Sequence, residues 1–76
     1  MELNEFVAHF AEQFEETGAS VFTPETRFRD LEEWSSLIGL SVIAMVDEEY
    51  DVTLKGNDIK MANTIQDLYE IVKSKL

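Results

Sequence analysis

A chain of 76 residues with 16 acids against 6 Lys and Arg, a formal charge of −10 and a pI near 4.2 has little to offer a phosphate backbone or an anionic membrane. Nucleic acid is therefore excluded as a partner, membrane insertion is not expected, and basic surfaces are. Without cysteine it can hold neither a disulfide nor a thiolate metal site, so a single domain over residues 1–76 must be stabilised by helix packing.

The first element is an amphipathic helix. Leu3, Phe6, Val7, Phe10 and Phe14 recur at helical spacing, with Glu2, Glu5, Glu12, Glu15 and Glu16 between them. It is expected to end near Thr17, with Gly18 taking the left-handed conformation that closes a helix C-terminus. A long connection from Thr17 to about Ser35 follows, containing Pro24. A loop of this length must pack to be stable, and Phe22, Phe28, Leu31 and Trp34 are the side chains that could tie it down. No alternation persists long enough to argue for a strand.

A second helix is expected from Ser36 to Tyr50, with the Ser35 hydroxyl as its N-cap. At about 100° per residue, Ile38, Val42, Ile43, Met45, Val46 and Tyr50 gather on one broad side, which is the core. Leu37, Leu40 and Ala44 fall on the other side with Ser36, flanked by Ser41, Asp47 and Glu48. They are apolar residues with no core to enter. From Asp30 through Leu54 the chain has seven acids and no Lys or Arg, a long negative field that either keeps the surface solvated or meets a basic partner. The longest unbroken apolar run, Val42 to Val46, is far short of the roughly 20 residues that cross a bilayer. MELNEFVAHF, for its part, has no basic leader ahead of a long apolar run, and a cytoplasmic protein is expected.

After a connector from Asp51 to Gly56, a helical turn is expected at Asn57 to Met61. The last helix opens at Thr64-Ile65-Gln66-Asp67, a capping-box pattern, and buries Ile65, Leu68, Tyr69, Val72 and Leu76, with Lys73 and Lys75 at the negative end of its dipole.

Tests for catalytic or metal chemistry fail. The acids from Asp47 to Asp58 fall at positions 1, 3, 5 and 12 of a calcium loop, but Val52 stands where that loop needs Gly and Asp58 where it needs a bidentate Glu. His9 is the only histidine and reads as a surface or boundary residue. Gly18, Gly39 and Gly56 are too scattered to cradle a phosphate. No catalytic set is present, and the chain is not expected to be an enzyme.

The Ser36-Leu37 pair at a helix start, the apolar and acidic helix closing in Asp47-Glu48-Glu49-Tyr50-Asp51, and the Thr64-Ile65-Gln66-Asp67 opening of the last helix together resemble the acyl carrier proteins. The resemblance runs over essentially the whole chain, and the step from Ser36 to Asp51 is its most specific part. It implies an all-α four-helix bundle of acyl-carrier type, with a long loop between helices I and II and a short helix III. It further implies that Ser36 receives 4′-phosphopantetheine from coenzyme A through a magnesium-dependent phosphopantetheinyl transferase. The arm's thiol then carries acyl groups as thioesters to partner enzymes of fatty acid or related acyl biosynthesis. Leu37, Leu40 and Ala44 would form the apolar centre of the docking surface, and Asp47, Glu48 and Asp51 would meet basic patches on acyl-processing enzymes. Ile59 and Met61 would either border the cargo or a partner, or finish the core. A monomer is expected.

The chain departs from the family pattern at several positions. The family's usual Asp-Ser-Leu is here Ser35-Ser36-Leu37, so the acid beside the modified serine is missing and Ser35 competes with Ser36 as acceptor. Ser36 is favoured, because it keeps the following Leu and the spacing to Asp51 while Ser35 makes a sensible cap. Ile38 and Ser41 stand where the docking face is often acidic, which hints at dedicated partners. Gly39 costs the helix roughly 1 kcal/mol against Ala, and opens room for the arm, opens room for Trp34, or does neither. Two other readings stand beside the acyl carrier: an aminoacyl or peptidyl carrier of the same fold, and an unmodified acidic adaptor that uses Leu37 and Leu40 to bind a partner.

Overall fold

The computed structural model describes residues 1–76 and is all-helical, with no strand. Four helices, α1 (Leu3–Ala11), α2 (Ser36–Tyr50), α3 (Gly56–Met61) and α4 (Ile65–Ser74), are joined by a long first loop and two short connectors. α1 packs against both α2 and α4, and α3 packs against α4. No helix is long and apolar enough to cross a membrane.

One continuous core of 17 residues draws on all four helices and both longer connectors. The helical periodicity is realised as expected: Phe6, Val7 and Phe10 of α1, Val42, Met45 and Val46 of α2, and Ile65, Leu68, Tyr69 and Val72 of α4 are buried. Ile38, Ile43 and Tyr50 pack half-buried against them. Val52 and Leu54 of the α2–α3 connector and Ala62 after α3 are also buried, three core positions that no helical period announces.

Two expectations need correction. α1 stops at Ala11, well before Thr17, and Gly18 has φ −65°, so it makes no left-handed cap. The chain leaves the helix through two further turn bonds, Gln13 N–H to Phe10 O and Phe14 N–H to Ala11 O. The amides of Glu15, Glu16 and Thr17 then turn to the Glu33 carboxylate instead of continuing the helical ladder. Phe14 is thereby buried from outside the helix. At the other end of the chain, α4 closes at Ser74 and Leu76 lies 66% exposed, beyond the stripe it was expected to complete.

The first loop is tied down by side chains and by backbone. Phe22 and Phe28 are buried, and Leu31 and Trp34 pack against the core. Rings of Phe10, Phe14, Phe22, Phe28 and Trp34 form one aromatic cluster with centroids 4.8 to 6.4 Å apart in its contacting pairs. Two 3₁₀ turns, Ala19–Val21 and Phe28–Asp30, shorten the path. The loop also supplies acceptors to α4, since Ile65 N–H donates to Thr26 O at 3.1 Å and Gln66 N–H to Pro24 O at 2.9 Å. With Asp67 N–H donating to Thr64 Oγ1 and Asp67 Oδ2 accepting from Asn63 and Thr64, the first-turn donors of α4 are satisfied. These backbone bonds hold the Asp67 carboxyl below its ordinary range.

Candidate functional site

The N-terminus of α2 is built by three consecutive residues. Trp34 lies 4.8 Å from the Phe28 ring and stacks within 3° of parallel on Phe10, while the edge of its indole covers the bare backbone of Gly39. Ser35 is extended, its Oγ accepts from Ile38 N–H at 3.3 Å, and its carbonyl accepts from Gly39 N–H at 3.0 Å. Its hydroxyl is thus committed to the cap. Ser36, the first helical residue, is exposed.

From there α2 turns an apolar strip outward. Leu37 is 73% and Leu40 62% exposed, and Ala44 is exposed beside them. At about 100° per residue these three lie within roughly 60° of arc, with Glu48 on the same line and Asp47 just beyond Leu40. Asp47, Glu48 and Glu49 crowd the last turn of α2, where the helix dipole disfavours negative charge by roughly 0.3–1 kcal/mol per group. Glu49 lies 3.9 Å from His9 Nε2, an ion pair only when His9 is protonated, whereas Asp47 and Glu48 face no cation within 4 Å. Asp51 follows in the left-handed region (φ 57°), exposed, donating its amide to Asp47 O at 3.0 Å. The structure therefore gathers Ser36, Leu37, Leu40, Ala44, Asp47 and Glu48 along one helix and sets Asp51 at its end.

His9 is the boundary residue its spacing suggests, with Nδ1 2.8 Å from the Tyr50 hydroxyl. Burial, helped by the nearby Glu5 and Glu49 carboxylates, pushes the Tyr50 phenol up and keeps it neutral. No group of three Asp, Glu or His side chains comes together in a way that could hold a metal. Ile59 is buried and finishes the core, while Met61 is 69% exposed on α3. A groove of about 660 Å³ between α1 and the first loop, lined by Val7, Ala8, Ala11, Phe14, Phe22 and Pro24 among others, contains none of the expected site residues.

The residue that sequence reasoning missed is Glu33. Its carboxylate accepts from the amides of Glu15 (2.7 Å), Glu16 (3.1 Å) and Thr17 (2.9 Å) and from Thr17 Oγ1 (2.7 Å). These bonds, the Thr17 hydroxyl foremost, hold its carboxyl below the ordinary value of 4.5. A Glu in an acidic loop carries no local signal of such a role. Comparison of the chain with family models, with characterised proteins and with solved structures finds no match in any of the three, so its chemistry is read from its own residues.

Proposed function

We propose that the chain is an acyl carrier protein of the four-helix type, which carries acyl groups as thioesters on a 4′-phosphopantetheine arm attached to Ser36. The observation that carries this reading is the exposed Ser36 at the head of a 15-residue helix that turns Leu37, Leu40 and Ala44 to solvent, in the pattern that resembles that family. The residues fit the group: α2 has no acid in its first turn, so the positive end of its dipole is unopposed and favours a phosphodiester on Ser36 Oγ. Ser35, its hydroxyl spent on the cap, is the weaker acceptor.

In the loading step Ser36 Oγ attacks the phosphorus that bears the pantetheine arm of coenzyme A. The new P–O bond forms as the pyrophosphate P–O bond breaks, 3′,5′-bisphosphoadenosine leaves, and the hydroxyl proton passes to a base on the magnesium-dependent transferase. When bound, the arm supplies the thiol that this cysteine-free chain lacks.

Docking should be weak. Full burial of two leucines is worth at most about 3–6 kcal/mol, against an association cost of roughly 4–15 kcal/mol. The balance must come from Asp47, Glu48 and Asp51 against basic partners, which makes encounter fast and salt-sensitive. Such binding suits a shuttle that leaves each enzyme after delivery, in fatty acid or related acyl biosynthesis.

The first test is intact mass with peptide mapping after incubation with coenzyme A, magnesium and a broad-specificity phosphopantetheinyl transferase. One phosphopantetheine on the Ser36 peptide is expected, and Ser36→Ala should keep the fold and abolish loading. Modification that persists in Ser36→Ala and vanishes in Ser35→Ala moves the site by one residue. If the transferase from the protein's own source also leaves it unmodified, the reading fails. The two leucines exposed by more than half favour, as second reading, an unmodified acidic adaptor, for which Ser36→Ala leaves partner binding intact. An aminoacyl or peptidyl carrier shares the loading chemistry and differs only in the group later found on the thiol.

A further inference from the structure

We propose that Glu33 is a positioning residue for Ser36: its carboxylate ties residue 33 to the chain after α1, and so fixes the short segment that sets the first turn of α2 and presents the Ser36 hydroxyl. The inference rests on the carrier reading for its loading consequence, but its structural half stands alone.

Three consecutive residues before Ser36 are each anchored to a different part of the molecule. Glu33 holds the amides of residues 15–17 and the Thr17 hydroxyl. Trp34 is held by the rings of Phe10 and Phe28 and by the hydrogen bond that its backbone N–H donates to Leu31 O at 3.0 Å. Ser35 is held by Ile38 N–H and Gly39 N–H. With only two soft dihedrals per residue, an anchored side chain at 33 leaves the backbone little freedom before the helix begins. A hydroxyl displayed by so constrained a segment needs little ordering when an enzyme must align it for attack.

The placement of Glu33 is not an electrostatic convenience. The titratable groups beside it are Glu15 and Glu16 of the loop and its chain neighbour Glu32, all acidic, and no cation pairs with it. The amide and hydroxyl donors hold it there against like charge. A Gln at this position keeps the size but has one acceptor oxygen for donors that now use two. Because the carboxyl sits below 4.5 in the fold, the anchor is complete above the ordinary carboxylate range and is lost as pH falls through the folded value.

The test compares wild type, Glu33→Gln and the milder Thr17→Val, which removes only the 2.7 Å hydroxyl donor. Amide hydrogen exchange on the unloaded chain should be about five- to tenfold faster at Ile38 and Gly39 in Glu33→Gln, with a smaller change in the same direction in Thr17→Val. The buried amides of Val46 and Val72 report global stability in the same spectra, and the excess at Ile38 and Gly39 over them is the signal. That excess should shrink as pH is lowered from 7 to below the ordinary carboxylate range, because wild type loses, as its lowered carboxyl protonates, the anchor that the Gln variant already lacks. In the loading assay the carrier's KM should rise several-fold in Glu33→Gln with kcat little changed, since fewer molecules hold the competent geometry.

If exchange rises only at residues 15–17, or if Ile38 and Gly39 change no more than Val46 and Val72, Glu33 merely ends α1 and the proposal is overturned. Unchanged loading kinetics on a chain whose wild type loads well also overturns it. A wild type that no transferase loads defeats the carrier reading instead, and the exchange arm still decides the structural role of Glu33.

Discussion

A methyl group built on Gly39 would lie 3.6 Å from Cζ2 of Trp34 and 3.7 Å from Cη2, ordinary van der Waals distances. The indole therefore covers this glycine without requiring it, and the backbone there is normal helix. Gly39→Ala is expected to stabilise the protein by up to about 1 kcal/mol, a rise in Tm of up to roughly 4–8 °C for a domain of this size. A thermal melt monitored by far-UV circular dichroism checks it, and a lower Tm would mean that the bare backbone at Gly39 contributes more to the packing of Trp34 than these distances allow. Trp34 lies against Gly39, but the distances leave room for a methyl, so the glycine is not needed to seat the indole. Asp51 is the converse case, since it adopts the left-handed conformation that suits glycine, at the end of a helix already crowded with acids.

The ends of the helices divide into those legible in the sequence and those that are not. Ser35 caps α2 through Ile38, and Thr64 and Asp67 cap α4, with partners no more than four residues apart, so the local pattern announces them. The end of α1 and the seat of α3 depend on partners far along the chain. Glu33 reaches residues 15–17, and Arg29 donates from Nη1 to Ile59 O at 2.8 Å and from Nη2 to Ala62 O and to Asn63 Oδ1. Neither a Glu nor an Arg in a loop reveals, by spacing, which distant backbone it will hold, and the glycine at position 18 was the more obvious stop signal. Arg29 thus satisfies carbonyls at the C-terminal end of α3 with a positive charge, the favourable sign for that end of a helix dipole. Arg29→Ala is expected to destabilise by roughly 1–2 kcal/mol after allowance for exposure, chiefly by releasing α3. Faster amide exchange at Ala62 than at Val46 would register it, and parallel changes at both would show that α3 does not open separately.

At the scale of the whole molecule, the all-helical fold and most of the core were legible, because α1, α2 and α4 bury stripes with a period that a single sequence displays. Val52, Leu54 and Ala62 were not, since short connectors have no period to read. A formal charge of −10 wrapped around a 17-residue core implies self-repulsion that salt should relieve. Tm is expected to rise with ionic strength from low millimolar to physiological salt, and a flat series of melts would show that the acids are too far apart to strain the fold. The same field, with no Lys or Arg from Asp30 through Leu54, leaves the α2 surface free to attract basic groups.

The single tryptophan gives the molecule an optical reporter at the place of greatest interest. Trp34 stands two residues before Ser36, half-buried among phenylalanines that emit far more weakly and over the backbone of the first turns of α2. Its emission reads the polarity around that one ring. A change at the head of α2 that loosens the aromatic cluster moves the spectrum to the red, while an event confined to α3 or α4 leaves it where it was, so the unlabelled protein can be followed by its own light.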